Sequence, residues 1–119
     1  MLNVGIDIAS KKHDCCIMGE KGEVLAPIFA FENNAKGFED FLKNVKVYER
    51  DFSHVKIGLE STGHYGNNLI SFFKANGFET IIFNALQVDL YRKAGTLRKT
   101  KTDKADAKFI AQMLLLYSC

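Results

Sequence analysis

Apolar residues recur in two rhythms along this chain. Leu2 to Ala9 is a mostly apolar run, the mark of a strand buried on both faces. Asp14 to Met18 predicts a second strand and Glu23 to Phe31 a third. Between them, Gly19-Glu20-Lys21-Gly22 predicts a hairpin turn, with glycines where a positive φ costs little. The three strands together predict an antiparallel meander. Helical spacing then takes over. Phe38, Phe41, Leu42 and Val45 share one face of a helix from Ala35 to about Val45, capped by Asn33 or Asn34. Val55 to Leu59 predicts a short strand that ends at Glu60, followed by a turn at Ser61-Thr62-Gly63. Tyr65 to Ala75 predicts a helix with Leu69, Ile70, Phe72 and Phe73 in its stripe, stopped by Asn76-Gly77. Phe78 to Phe83 reads as a strand, Ala85 to Arg92 as a short helix and Lys93 to Lys101 as a polar, basic loop. Thr102 then caps a last helix from Asp103 to about Tyr117, with Ala107, Ile110, Ala111 and Leu114 on one face. Three meander strands followed by β-α-β units predict an α/β domain with a mixed sheet.

The composition, 47% hydrophobic and 25% charged, is that of an ordinary soluble protein, and 119 residues suit one domain, residues 1–119. No run approaches the ~20 apolar residues of a membrane span, and no secretory signal precedes Asp7. Three cysteines, two of them adjacent (Cys15 and Cys16) and the third at Cys119, have no metal-ligand spacing; they fit inert thiols in a reducing cytosol. The net charge of +2 says little, but its distribution is uneven. Arg92, Lys93, Arg98, Lys99, Lys101, Lys104 and Lys108 face only Asp103 and Asp106 in the same stretch. A basic cluster beside two acids is an asymmetry suited to a phosphate backbone, although a solvated charge run has the same composition.

Four carboxylates carry the candidate chemistry. Asp7 interrupts an apolar strand, a costly position for a charge unless it is paired or binds a cation. Glu60 follows a strand directly, and ligand sites in open α/β sheets gather at the carboxyl ends of strands. Asp103 and Asp106, three apart at the start of the predicted helix, would share one face. Acids at that position also complement the helix dipole without any catalytic role. Taken together, four hard oxygen ligands suit a two-metal centre holding Mg²⁺ or Mn²⁺. Ser10 and Ser61 lack the His/Asp arrangement of an activated nucleophile. His64, beside Glu60, is a candidate substrate contact, while His13 and His54 are expected to be solvated. The Phe38/Phe41 and Phe72/Phe73 groups are expected in the core rather than under stacked bases.

Three blocks carry a family resemblance: Val4-Gly5-Ile6-Asp7-Ile8-Ala9-Ser10-Lys11, Leu59-Glu60-Ser61-Thr62-Gly63-His64-Tyr65 and Lys101-Thr102-Asp103-Lys104-Ala105-Asp106-Ala107. In this order they resemble the DEDD transposases of bacterial insertion sequences, whose N-terminal domain is similar to the RuvC Holliday-junction resolvase. The resemblance implies an RNase H-like (RuvC-like) α/β fold: a mixed five-stranded sheet, three strands antiparallel and the others parallel, flanked by helices. It implies Mg²⁺-dependent (or Mn²⁺-dependent) DNA strand cleavage and transfer during transposition, with Asp7, Glu60, Asp103 and Asp106 as catalytic metal ligands. It marks Lys11, Thr62, Gly63 and Tyr65 as substrate contacts. With it, Arg98, Lys99, Lys101 and Lys104 become candidate contacts for DNA or RNA phosphates. A structured guide RNA, a homo-oligomer of the full-length protein and a cytoplasmic, nucleoid-associated location follow from the same resemblance. Such transposases are longer, with a helical connector and a C-terminal domain that supplies a catalytic serine, so this chain is expected to be the first domain only.

Two other readings use the same residues. A kinase fragment of the actin-like ATPase superfold also opens with a Gly-x-Asp strand and a hairpin, but its phosphate turn favours glycine where this chain has Ala9. A non-catalytic nucleic-acid-binding or dimerisation module would keep the basic stretch and not need the acids.

Overall fold

The computed structural model describes residues 1–61, 66–94 and 106–117. Five strands form one sheet: β1 (Leu2–Asp7), β2 (Lys12–Met18), β3 (Phe29–Glu32), β4 (Val55–Glu60) and β5 (Glu79–Phe83), in the order β3-β2-β1-β4-β5. β1, β2 and β3 pair antiparallel, while β4 runs parallel to β1 and β5 parallel to β4. The helices are α1 (Ala35–Lys46), α2 (Asn67–Ala75), α3 (Ala85–Lys93) and α4 (Ala107–Tyr117), with a short 3-10 turn at Phe52–His54 before β4. This is the mixed sheet expected from three meander strands and β-α-β units.

Period-two alternation sorts the strand residues onto two faces. One face carries Val4 and Ile6 of β1, Cys15 and Ile17 of β2, and Ile57 and Leu59 of β4, all buried with Phe41 and Val45 of α1 and Leu69 and Phe73 of α2. Phe41 lies 5.2 Å from Phe73 and 5.0 Å from Phe31, ring centre to ring centre. The phenylalanine stripes are therefore core, as their spacing predicts. Asn34 caps α1 by accepting from the Gly37 N–H at 2.8 Å. α2 stops at Ala75, and Gly77 just beyond it has a φ of 87°, a left-handed conformation that glycine adopts without strain.

α4 covers the other face, over β1, β2 and β4. Its first turn sits on a bare strip of β1. A Cβ added to Gly5 would run into the backbone carbonyl of Ala107 and the backbone nitrogen of Ala111. Farther along, a Cβ on Gly58 of β4 would come within 2.9 Å of the Leu114 side chain. At the far end, the buried Lys56 donates through Nζ to the Leu114 carbonyl at 3.5 Å, a long contact near the helix C-terminus. α4 thus starts over the carboxyl-terminal half of β1 and runs back toward the start of β4.

The structure moves several expected boundaries. β3 is shorter than Glu23 to Phe31; before Phe29 the chain makes one isolated bridge, Met18 to Val24. The Gly19 N–H donates to the Glu23 carbonyl at 2.9 Å, and a φ of 87° at Gly22 turns this segment away from a regular ladder. α4 starts at Ala107 rather than Asp103. Asp106 precedes it and caps it: its Oδ1 accepts from the Phe109 N–H at 2.8 Å. Asp106 therefore stands just before the helix, while Asp103, its expected companion, and Thr102, the expected cap, lie outside the described residues, as does most of the basic loop from Lys93 to Lys101. His13 is another correction. It is fully buried rather than solvated, because pairing with Phe31 of β3 turns it into the core, where their rings lie 5.2 Å apart. Its Nδ1 accepts from the Ala9 N–H at 3.2 Å, bracing the turn that follows Asp7. Burial holds the His13 pKa down, against the raising effect of Asn33, Asp7 and Asp14.

One prediction follows from the bare strip. Gly5→Ala should destabilise the domain by about 3 kcal/mol, because the clash is with backbone that cannot rotate away. Chemical denaturation of the variant against wild type measures this. A near-neutral change would mean that α4 does not sit against β1.

Candidate active site

Asp7 and Glu60 come from neighbouring parallel strands. The β1–β4 register runs through Ile6 opposite Leu59, so the next step sets Asp7 beside Glu60. Both project to the α4 face, since Ile6 and Leu59 project to the other. Adjacent strands are about 4.8 Å apart, a spacing that lets two carboxylates share one cation. Both residues are half-buried. Burial pushes the Glu60 carboxyl pKa up; Arg92 opposes that, and the negative charges of Asp89 and Asp7 add to it.

Asp106 reaches the same face from α4. Its position follows from the packing of Ala107 on Gly5, and its charge acts on the Cys16 thiol of β2, the cross-strand partner of Gly5. Asp106 is exposed, and its Oδ1 is engaged in capping its own helix. Asp14, which no sequence motif singles out, stands directly across from Asp7 in the antiparallel ladder. Two-residue alternation sends both to one face, so counting across the β1–β2 hairpin would have found it. Lys11 lies exposed in the turn between β1 and β2.

Of the expected site residues, Asp103, Thr62, Gly63, Tyr65, Arg98, Lys99, Lys101 and Lys104 lie outside the described residues, as does His64. Cys15 and Cys16 are buried, and burial raises both thiol pKa values, which suits unreactive groups.

The donor chemistry suits a hard divalent cation: two half-buried carboxylates side by side, one of them made costly to ionise by its surroundings. Among the described residues, no three His, Cys, Asp or Glu side chains converge closely enough to enclose an ion by themselves. The Asp7–Glu60 pair therefore fits as the floor of a metal site and not as a complete cage.

A mixed five-stranded sheet with acids at the ends of two adjacent parallel strands is an RNase H-like arrangement. The solved structures most informative here agree. T. thermophilus RuvC, in complex with a Holliday junction substrate, matches 99% of this chain and 94% of that one, with a TM-score of 0.56 and 14% identity. A Fowlpox virus resolvase, also in complex with Holliday junction DNA, matches 99% and 96%, with a TM-score of 0.50 and 16% identity. At such identities the likeness is one of fold.

The particular family comes from the sequence match. The chain belongs to the DEDD-type transposases of the IS110 group, whose family model, described as "Transposase", matches residues 4–118. It is also similar to the pilin gene-inverting proteins of Moraxella bovis and Moraxella lacunata, each 29% identical over 109 residues and 92% of this chain. The chain spans about a third of the length of these curated relatives, 33%. Among the described residues, no helix is long and apolar enough to cross a membrane.

The crowding of Glu60 has a measurable consequence. Its raised pKa means that the folded state binds a proton more tightly than the unfolded chain does, so ionised Glu60 costs stability. In metal-free buffer at neutral pH, Glu60→Gln should raise the melting temperature. The advantage should fade as the pH falls through the raised pKa and vanish below about 4.5, where folded and unfolded carboxyls are both protonated. Thermal unfolding with a chelator present tests this. A less stable Gln variant at neutral pH would contradict the electrostatic account.

Proposed function

We propose that residues 1–119 form the catalytic domain of a DNA transposase or recombinase that cleaves and transfers DNA strands with the help of Mg²⁺ or Mn²⁺. The observation that carries this reading is the register of β1 and β4, which sets Asp7 beside Glu60 on the face that α4 caps. Family membership favours it over the kinase reading, and a non-catalytic module would have no use for paired carboxylates that cost stability. The names of the relatives support DNA inversion, and the two resolvase complexes support branched DNA as a substrate class.

In this proposal Asp7 and Glu60 hold the divalent cation, and Asp106, with Asp103 upstream, completes its ligands from the third block. Bound there, such ions supply activation of an attacking oxygen and neutralisation of charge on the leaving oxygen of an in-line displacement at phosphorus. The protein's own contribution is positional. The parallel pair fixes the spacing of two carboxylates, and α4 closes the site from above. Half-burial of both acids limits solvent and strengthens their grip on a cation. Lys11, Thr62, Gly63 and Tyr65 are proposed contacts to the substrate. Arg98, Lys99, Lys101 and Lys104 are proposed contacts to phosphates of DNA or of a guide RNA. The resemblance extends the proposal to self-association of the full-length protein and to a second domain that contributes a serine.

Asp7→Asn, Glu60→Gln and Asp106→Asn in the full-length protein should each reduce metal-dependent strand cleavage at least about 100-fold while leaving the fold intact. Gel assays of DNA cleavage with circular dichroism of each variant measure both. Cleavage at the wild-type rate removes that residue from the site; at Asp7 or Glu60 it removes the proposal.

A further inference from the structure

One cation on the acid-bearing face is held in a way that ordinary surface arginines are not. Arg92, on the last turn of α3, has a side chain only 13% exposed. Its Nη1 donates to Asp89 Oδ1 at 3.1 Å, one helical turn earlier. Its guanidinium carbon lies 5.5 Å from the centre of the Phe109 ring. Phe109 is buried on α4, and its backbone N–H is the one that Asp106 caps. Arg92 therefore bridges α3 to the same first turn of α4 that presents Asp106.

We infer that Arg92 is a phosphate-binding residue of the cleavage site, held ready by Asp89 and Phe109. The inference rests on the nuclease reading above. Three observations point to a ligand rather than a structural tie alone. A guanidinium has five N–H donors, and the described residues receive one hydrogen bond from it, at Asp89. The Asp89 partner is 53% exposed and lies on the same helix, so this short ion pair adds little stability, while the ring contact fixes the plane of the fork. The guanidinium also lies over Phe109, three residues past Asp106 and within the first turn that Asp106 caps. A cation fixed over Phe109, beside the turn that presents Asp106, has a use when a DNA phosphate enters the site. The phosphate brings the negative charge, and the planar fork can bind two of its oxygens at once. Asp89 and Phe109 are positioning residues in this scheme, acting only through Arg92.

The test uses the full-length protein and a supercoiled plasmid carrying its recombination site, with Arg92→Met, Arg92→Lys, Asp89→Asn and Glu60→Gln beside wild type. Methionine keeps a packed stem against Phe109 and removes the charge and the fork. The expected result for Arg92→Met is a cleavage rate at saturating DNA lowered about 100-fold, with an unchanged melting temperature. Arg92→Lys should recover part of the rate, since a point charge replaces a bidentate fork. Asp89→Asn should slow cleavage less than Arg92→Met does. Binding to a labelled four-way DNA junction should lose about one unit of salt dependence in Arg92→Met, as one phosphate contact disappears. Cleavage by Arg92→Met within twofold of wild type, while Glu60→Gln is inactive, overturns the inference and leaves the nuclease reading standing. A lowered melting temperature with an unchanged salt slope also overturns it, because Arg92 would then be a structural tie. Wild-type cleavage by Glu60→Gln would sink the nuclease reading itself, and the inference with it.

Discussion

The close approach of α4 to a glycine in the central strand is the constraint on which the site depends. Any side chain at Gly5 would push the helix off the sheet. Its absence brings the first turn of α4 onto β1, two residues before Asp7, and with it Asp106. The contact at Gly58 continues the same seat along β4. A helix seated this low can bring an acid from the far end of the chain to the ends of two strands formed early in it. The core on the other face has an ordinary task. Phe31, Phe41, Phe73 and Phe78 pack α1 and α2 against the sheet and make it rigid enough for the strand register to fix the acid spacing.

Electrostatics run against stability on this side of the sheet. Asp7 faces Asp14 across one ladder and adjoins Glu60 across the other, and the burial of Glu60 resists its ionisation. Like charges brought together this way are an expense that hydrophobic packing must offset, and a bound cation would relieve it. Arg92 supplies part of the relief within the chain. His13 works from beneath: neutral and buried, it holds the Ala9 N–H and so steadies the turn that leads out of β1.

Most of the architecture was legible because strands and helices write different periods. The meander, both β-α-β units and the phenylalanine core follow from spacing alone. The start of α4 did not. The Thr102-Asp103 pair reads locally as a cap, but Asp106 makes the capping bond, and seating the first turn over Gly5 begins the helix at Ala107. His13 stands between the polar Lys12 and Asp14, and only the pairing with β3 reveals that alternation turns it inward. Asp7 and Glu60 stood out as charges that end apolar strands. Asp14 does not stand out, and Arg92 reads only as one member of a basic cluster, since the places of both depend on partners on other elements. The Asp89-x-x-Arg92 spacing was visible in the sequence, but the ring of Phe109 beneath the guanidinium was not.

In the proposed site the acids at the ends of β1 and β4 form a seat for a divalent cation. Anomalous diffraction from crystals of the full-length protein soaked in Mn²⁺ tests it most directly. The expected result is a manganese peak about 2.0–2.3 Å from carboxylate oxygens of both Asp7 and Glu60. Well-occupied manganese sites elsewhere on the protein, with none touching either of these carboxylates, would contradict it.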